Sequence, residues 1–135
     1  MLFRSVGTMI RTAAALGVRC VIALPGTADV WNPKVVRSGA GGHFHLHVLH
    51  AELDELLAAL RHAGVPLWGA DAAGTPVHQL HAPPALALAM GNEGAGLTPD
   101  VRGAVANLVA LPMTAGVESL NVGVAAGILL YALRP

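Results

Sequence analysis

The chain has 135 residues, 54% of them apolar and 12% charged, with a formal net charge of zero. That length predicts one domain, and neutrality excludes a global pull toward polyanions. So many apolar residues exceed what a small domain buries alone, which predicts an apolar interface, in the form of a homodimer.

Thr8–Leu16 is a run of good helix formers ended by Gly17, and it predicts a helix. Arg19–Leu24 is a short apolar run before Pro25-Gly26 and reads as a buried strand. Cys20 lies in that run as the one cysteine, so an intramolecular disulfide is excluded and a small buried core residue is expected. Ala28–Gly42 is rich in turn residues and reads as loop, and Phe44–Leu49 reads as a strand. His43, His45 and His47 then share one strand face. With His50 they contain no interleaved Cys, Asp or Glu, so an exposed strand face is expected rather than a metal site.

Ala51–His62 carries Leu53, Leu56, Leu57 and Leu60 at i, i+3, i+4 and i+7, one apolar helical face. Acids in its first turn, and Arg61 and His62 in its last, suit the helix dipole. Val65–Ala70, Ala85–Met90 and Leu108–Leu111 read as further strands. Thr98-Pro99 predicts a capped helix start. Asn121–Leu133 predicts a helix apolar all round. Its Gly123, Ala126 and Gly127 permit close approach, here expected against a second subunit. The apolar segment Val122–Leu133 is too short to span a bilayer. With no charged-then-apolar leader pattern, the cytoplasm is the expected compartment. Alternating strands and helices predict an α/β fold with a mostly parallel sheet.

Charge is uneven along the chain. Residues 1–50 hold Arg4, Arg11, Arg19, Lys34 and Arg37 against Asp29, whereas the remainder is acidic on balance. An RNA-facing surface, if present, is expected from the first third.

Three C-terminal segments stand out: Gly91-Asn92-Glu93-Gly94, Leu111-Pro112-Met113 and Ser119-Leu120-Asn121-Val122. The first is a glycine turn after a strand, where open α/β sheets bind ligands. It fits neither a Walker loop nor a dinucleotide fingerprint. Ser119 and Asn121 alone would read as helix caps, and Glu93 alone as a solvated carboxylate. In this order and spacing the three segments resemble the SpoU/TrmH family of RNA ribose 2′-O-methyltransferases, in the SPOUT superfamily.

Ser5-Val6-Gly7 followed by Arg11-Thr12-Ala13 resembles that family's first motif, with Ser5 where the family has asparagine. Arg37 through Phe44 resembles its Arg-x-Ser-x-Gly-x-x-Phe segment, with Gly39 where serine is frequent. The resemblance implies a C-terminal trefoil knot, an exception to the rule that chains do not thread loops. It implies S-adenosylmethionine as methyl donor, held at Gly91, Leu111, Met113 and Leu120. It implies catalytic roles for Arg11, Glu93, Ser119 and Asn121, and RNA contacts from Ser5 and Arg37. The expected acceptor is a ribose 2′-OH of rRNA, with tRNA second. A ribose hydroxyl is a poor nucleophile and needs a base or a neighbouring cation. The expected domain is a single SpoU-type unit over residues 1–135, lacking the family's usual first strand and an N-terminal RNA-binding domain. The alternative function is a knotted dimer that binds the donor but methylates little.

Overall fold

A buried stripe of Val6, Ile10 and Ala13, spaced i, i+4, i+7, organises the first part of the chain. The computed structural model describes residues 2–135 apart from Glu93. It divides into two compact units, residues 1–55 and 56–135. No helix among the described residues is long and apolar enough to cross a membrane.

In the first unit, α1 runs over Leu2–Ala15. It starts a turn and a half before the expected Thr8, because the buried stripe continues upstream through Gly7. Gly17, with φ of 78°, ends it, and Val18 N–H returns to the Ala13 carbonyl at 3.0 Å. Strands β1 (Cys20–Ala23) and β2 (His47–His50) pair in parallel, Cys20 opposite His47 and Ala23 opposite His50. Cys20 is exposed at the start of β1, not buried as expected, because the strand's inward position falls at Ala23, which is 4% exposed.

The segment expected as loop contains a short helix, α2 (Pro33–Ser38). Asn32 Oδ1 caps it, accepting from Lys34 N at 2.9 Å, with Pro33 in the first turn. Ala40 (φ 47°) and Gly41 (φ 87°) then reverse the chain into a 3-10 turn over Gly42–Phe44. The expected face of alternating histidines is therefore absent. His43 lies in that turn, 5% exposed, and only His47 and His50 are in β2.

Helix α3 (Leu53–Ala63) holds the predicted apolar spacing. In the second unit β3 (Leu67–Pro76) lies between β4 (Ala87–Ala89) and β5 (Asn107–Ala110), all parallel. β3 outlasts its predicted end because the pairing slips: Ala70 and Thr75 both face Val109 across an irregularity. Arg102, on α4 (Pro99–Ala104), pairs with Asp71 in that irregularity. Thr98 caps α4 as expected. The core gathers Trp68, Val109, Leu129 and Leu133, with Leu88, Met90 and Leu111 packed against it.

The final helix, α5 (Val122–Leu133), buries Gly123, Ala126, Leu129 and Leu133 within its own chain. Of the residues expected against a second subunit, Gly123, Ala126, Gly127 or their neighbours, Gly123 and Ala126 are instead buried within their own chain, where a hydrogen or a methyl lets α5 lie close; Gly127 is half-buried. The outward apolar residues are Val124, Ile128 and Tyr131, 50%, 44% and 57% exposed.

Gly7 shows what the first motif needs locally. A Cβ there would strike the Ser38 side chain and lie 2.7 Å from the Val35 carbonyl oxygen, where α1 packs on α2. Helix propensity alone favours Gly7→Ala by about 1 kcal/mol, whereas overpacking costs about 1–3 kcal/mol. The clash involves main chain and should win. Gly7→Ala is expected to lower the denaturant midpoint, and Ser38→Gly in the same chain should not restore it. A stabilised single variant would contradict this packing.

Candidate functional site

The parallel register of the second unit sends β4 and β5 out at the same edge as β3. The chain leaves that edge as Met90-Gly91 after β4 and as Leu111-Pro112-Met113 after β5. Carboxyl ends of parallel strands are where open α/β sheets bind ligands. Met90 and Leu111 pack against the same core, which fixes both loop stems.

The loop after Gly91 closes on itself. Asn92 N–H donates to the Gly96 carbonyl at 3.2 Å, and Gly96 N–H to the Asn92 carbonyl at 2.9 Å. Gly94 and Gly96 have φ of 83° and 69°, a region that favours glycine. Leu97, 8% exposed, anchors the far end. A Cβ on Gly91 would lie 2.6 Å from the Gly96 oxygen and from Leu97 N. Gly91 is thus required by the loop's own main chain. The space beside it belongs to the protein, so a bulky residue there would unseat the loop before it crowded a ligand. Glu93, a candidate catalytic residue, lies outside the described residues.

The segment from Leu111 to Asn121 is different. Outside the sheet ladder, no hydrogen bond among the described residues engages the backbone of Leu111, Met113 or Leu120. Met113, Val117 and Leu120 are 37%, 51% and 38% exposed. Free backbone donors and acceptors beside apolar side chains are what an adenosyl group requires: flat apolar cover for the base and directed polar contacts at its edge. The residues present therefore fit the donor implied by the sequence. Asn121 Oδ1 accepts from Gly123 N at 2.9 Å and from Val124 N at 3.3 Å, so in this structure it caps α5. Ser119 is exposed two residues before it.

The first unit carries the basic candidates. Arg11 is exposed on α1, and no carboxylate among the described residues pairs with it. Gly42 packs onto its main chain: a Cβ at 42 would lie 3.0 Å from Arg11 Cα. The glycine-rich turn and the arginine motif, separated by thirty residues in the sequence, are therefore in contact. Arg37 is exposed in the last turn of α2. Ser5 is 5% exposed. Because α1 runs through the motif, Ser5 falls beside the buried stripe. Sequence reasoning missed α2 and its Asn32 cap, although the Asn-Pro pair was a visible start signal. It placed Phe44 only as the end of the Arg-x-Ser-x-Gly-x-x-Phe segment near the substrate, with no contact of its own.

The SpoU rRNA Methylase family model matches residues 4–131. The 23S rRNA (guanosine(2553)-2'-O)-methyltransferase RlmP of Bacillus subtilis is 40% identical over 131 residues, covering 96% of this chain and 53% of its own. Among solved structures, the SpoU methyltransferase AviRb from Streptomyces viridochromogenes, in complex with the cofactor AdoMet, aligns with a TM-score of 0.88 at 34% identity. That alignment covers 96% of this chain and 54% of AviRb. A structure described as giving insight into 2-OH methylation of C/U34 on tRNA aligns with a TM-score of 0.83 at 30% identity, over 96% of this chain and 85% of that one. The chain spans about half the length of the curated relatives it matches. With almost all of its residues matched, the chain belongs to the SpoU rRNA methylase family.

Proposed function

We propose that this chain is the catalytic domain of an S-adenosylmethionine-dependent RNA ribose 2′-O-methyltransferase, acting on rRNA, with tRNA as the second target class. The observation that carries this is the shared sheet edge, where the chain leaves β4 at Gly91 and β5 at Leu111, followed by unengaged backbone at Leu111, Met113 and Leu120 and by exposed apolar side chains. The donor, when bound, supplies an electrophilic methyl group on sulfonium. The loops hold its adenosyl part, and Gly91 keeps the neighbouring turn closed. Arg11 meets the RNA: its planar fork grips a phosphate and stabilises negative charge on the 2′-oxygen, whose proton passes to that phosphate and on to solvent. Glu93 and Ser119 complete the catalytic set, with Asn121 holding the start of α5. The C-terminal loops form the trefoil knot of the SPOUT fold, and the protein works in the cytoplasm.

Labelled methyl transfer to total rRNA and tRNA tests this. Arg11→Ala should lower transfer by at least ~100-fold, the scale of a lost positioned acid–base group, and leave S-adenosylhomocysteine affinity unchanged. Arg11→Lys should rescue poorly, because an ammonium lacks the fork. Equal rates for wild type and Arg11→Ala would remove Arg11 from the chemistry. Donor binding without transfer by the wild type would establish the binding-module alternative instead.

We further propose that the protein is a homodimer through α5. Val124, Ile128 and Tyr131 recur at i, i+4, i+7 and form an outward apolar stripe, with the Arg134 guanidinium 3.8 Å above the Tyr131 ring. Light scattering should give twice the chain mass for wild type and the single mass for Val124→Glu/Ile128→Glu. A wild-type monomer at micromolar concentration would contradict the dimer.

A further inference from the structure

Phe44 is 84% exposed, more than the other large apolar side chains that stand in solvent among the described residues. Leaving such a ring in water forgoes the stabilisation that burial of apolar surface gives. Its backbone is nevertheless held on every side. Phe44 N–H donates to the Gly41 carbonyl at 3.1 Å, and His45 N–H to the Gly42 carbonyl at 3.0 Å. Gly42 is pressed against the Arg11 main chain. His43 is buried between them, its Nε2 2.7 Å from the Val30 carbonyl oxygen and its ring 5.0 Å from that of Trp31. The turn is fixed by its neighbours, and the Phe44 ring is presented outward beside the exposed His45.

The segment that carries Phe44 is basic on balance, with Arg4, Arg11, Arg19, Lys34 and Arg37. Asp29 is the one acidic side chain between Met1 and Ala51, and it is engaged, accepting from Trp31 N at 3.0 Å with His50 Nε2 at 3.2 Å. The same segment exposes Arg11 and Arg37, and the Gly42 contact ties the turn to the Arg11 main chain. A face that dimerises offers a continuous apolar stripe, as α5 does. Exposed aromatic rings, Phe44 at 84% and Trp31 at 52%, on a segment that is basic on balance suit a polyanion whose units carry π faces.

We propose that Phe44 is a stacking platform for a base of single-stranded RNA, setting the register of the RNA at Arg11. This rests on the proposed methyltransferase reading and deepens it. Unpaired RNA bases are recognised by stacking on aromatic side chains, while cations hold the backbone. Phe44 acts on position and forms no bond with the reacting atoms.

Filter binding of the full chain to an unmodified 23S rRNA transcript tests the assignment, with S-adenosylhomocysteine titration, light scattering and methyl transfer measured on the same samples. Phe44→Ala should weaken RNA binding roughly ten- to a hundred-fold, the loss of one base stack, with donor affinity and mass unchanged. Phe44→Trp and Phe44→Tyr should keep affinity, and Phe44→Leu should behave like alanine despite being apolar. Wild-type RNA affinity in Phe44→Ala, with methyl transfer intact, would overturn the stacking role alone. Full rescue by leucine would overturn it also, as would loss of the dimer mass in Phe44→Ala, which would make Phe44 a contact between copies. A wild type that binds donor but neither binds nor methylates RNA would overturn the stacking role together with the methyltransferase reading.

Discussion

The parallel pairing of β3 with both β4 and β5 is the constraint on which the second unit depends. An antiparallel neighbour would send one of the two loops to the opposite edge. Parallel register brings Met90-Gly91 and Leu111-Pro112-Met113 out together, with Trp68 and Val109 buried beneath as the common core. The irregularity in β3 after Ala70 keeps it in step with β5 to Pro76, so the sheet edge is set by the slip as well as by the strand lengths.

A second constraint recurs in both units: main chain approaching main chain at glycine. Gly7 admits α2 onto α1, Gly42 admits the 3-10 turn onto Arg11, and Gly91 admits Gly96 and Leu97. At Gly7 and Gly91 a side chain would collide with backbone, which cannot rotate away, and at Gly42 it would be a tight contact that the backbone must yield to by a few tenths of an ångström. The motif glycines are therefore fold requirements that place functional residues, and a ligand is not needed to account for them. Arg11 and Phe44 owe their positions to the same contact at Gly42.

Much of this was legible in the sequence. The alternation of strands and helices, the Thr98-Pro99 start and the Asn121 start of α5 were all visible, because caps and apolar periodicity act over a few residues. The C-terminal segments pointed to the edge that the sheet assembles. What was not legible depended on distant neighbours. The strand face of histidines failed because Ala40 and Gly41 adopt positive φ, a turn that places His43 against Val30 and Trp31. α2 is too short for its periodicity to register. The inner face of α5 could not be told from its outer face, since both are apolar, and only its packing separates Ala126 from Val124.

The central claim is that the donor is held by the backbone at the shared sheet edge of the second unit. The most direct measurement is titration of the isotope-labelled full chain with S-adenosylhomocysteine, followed by calorimetry and by amide chemical shifts. The account predicts saturable binding, with the largest shifts at Gly91, Leu111, Met113 and Leu120. No binding to the folded chain at millimolar ligand, or shifts confined to residues 1–55, would contradict it.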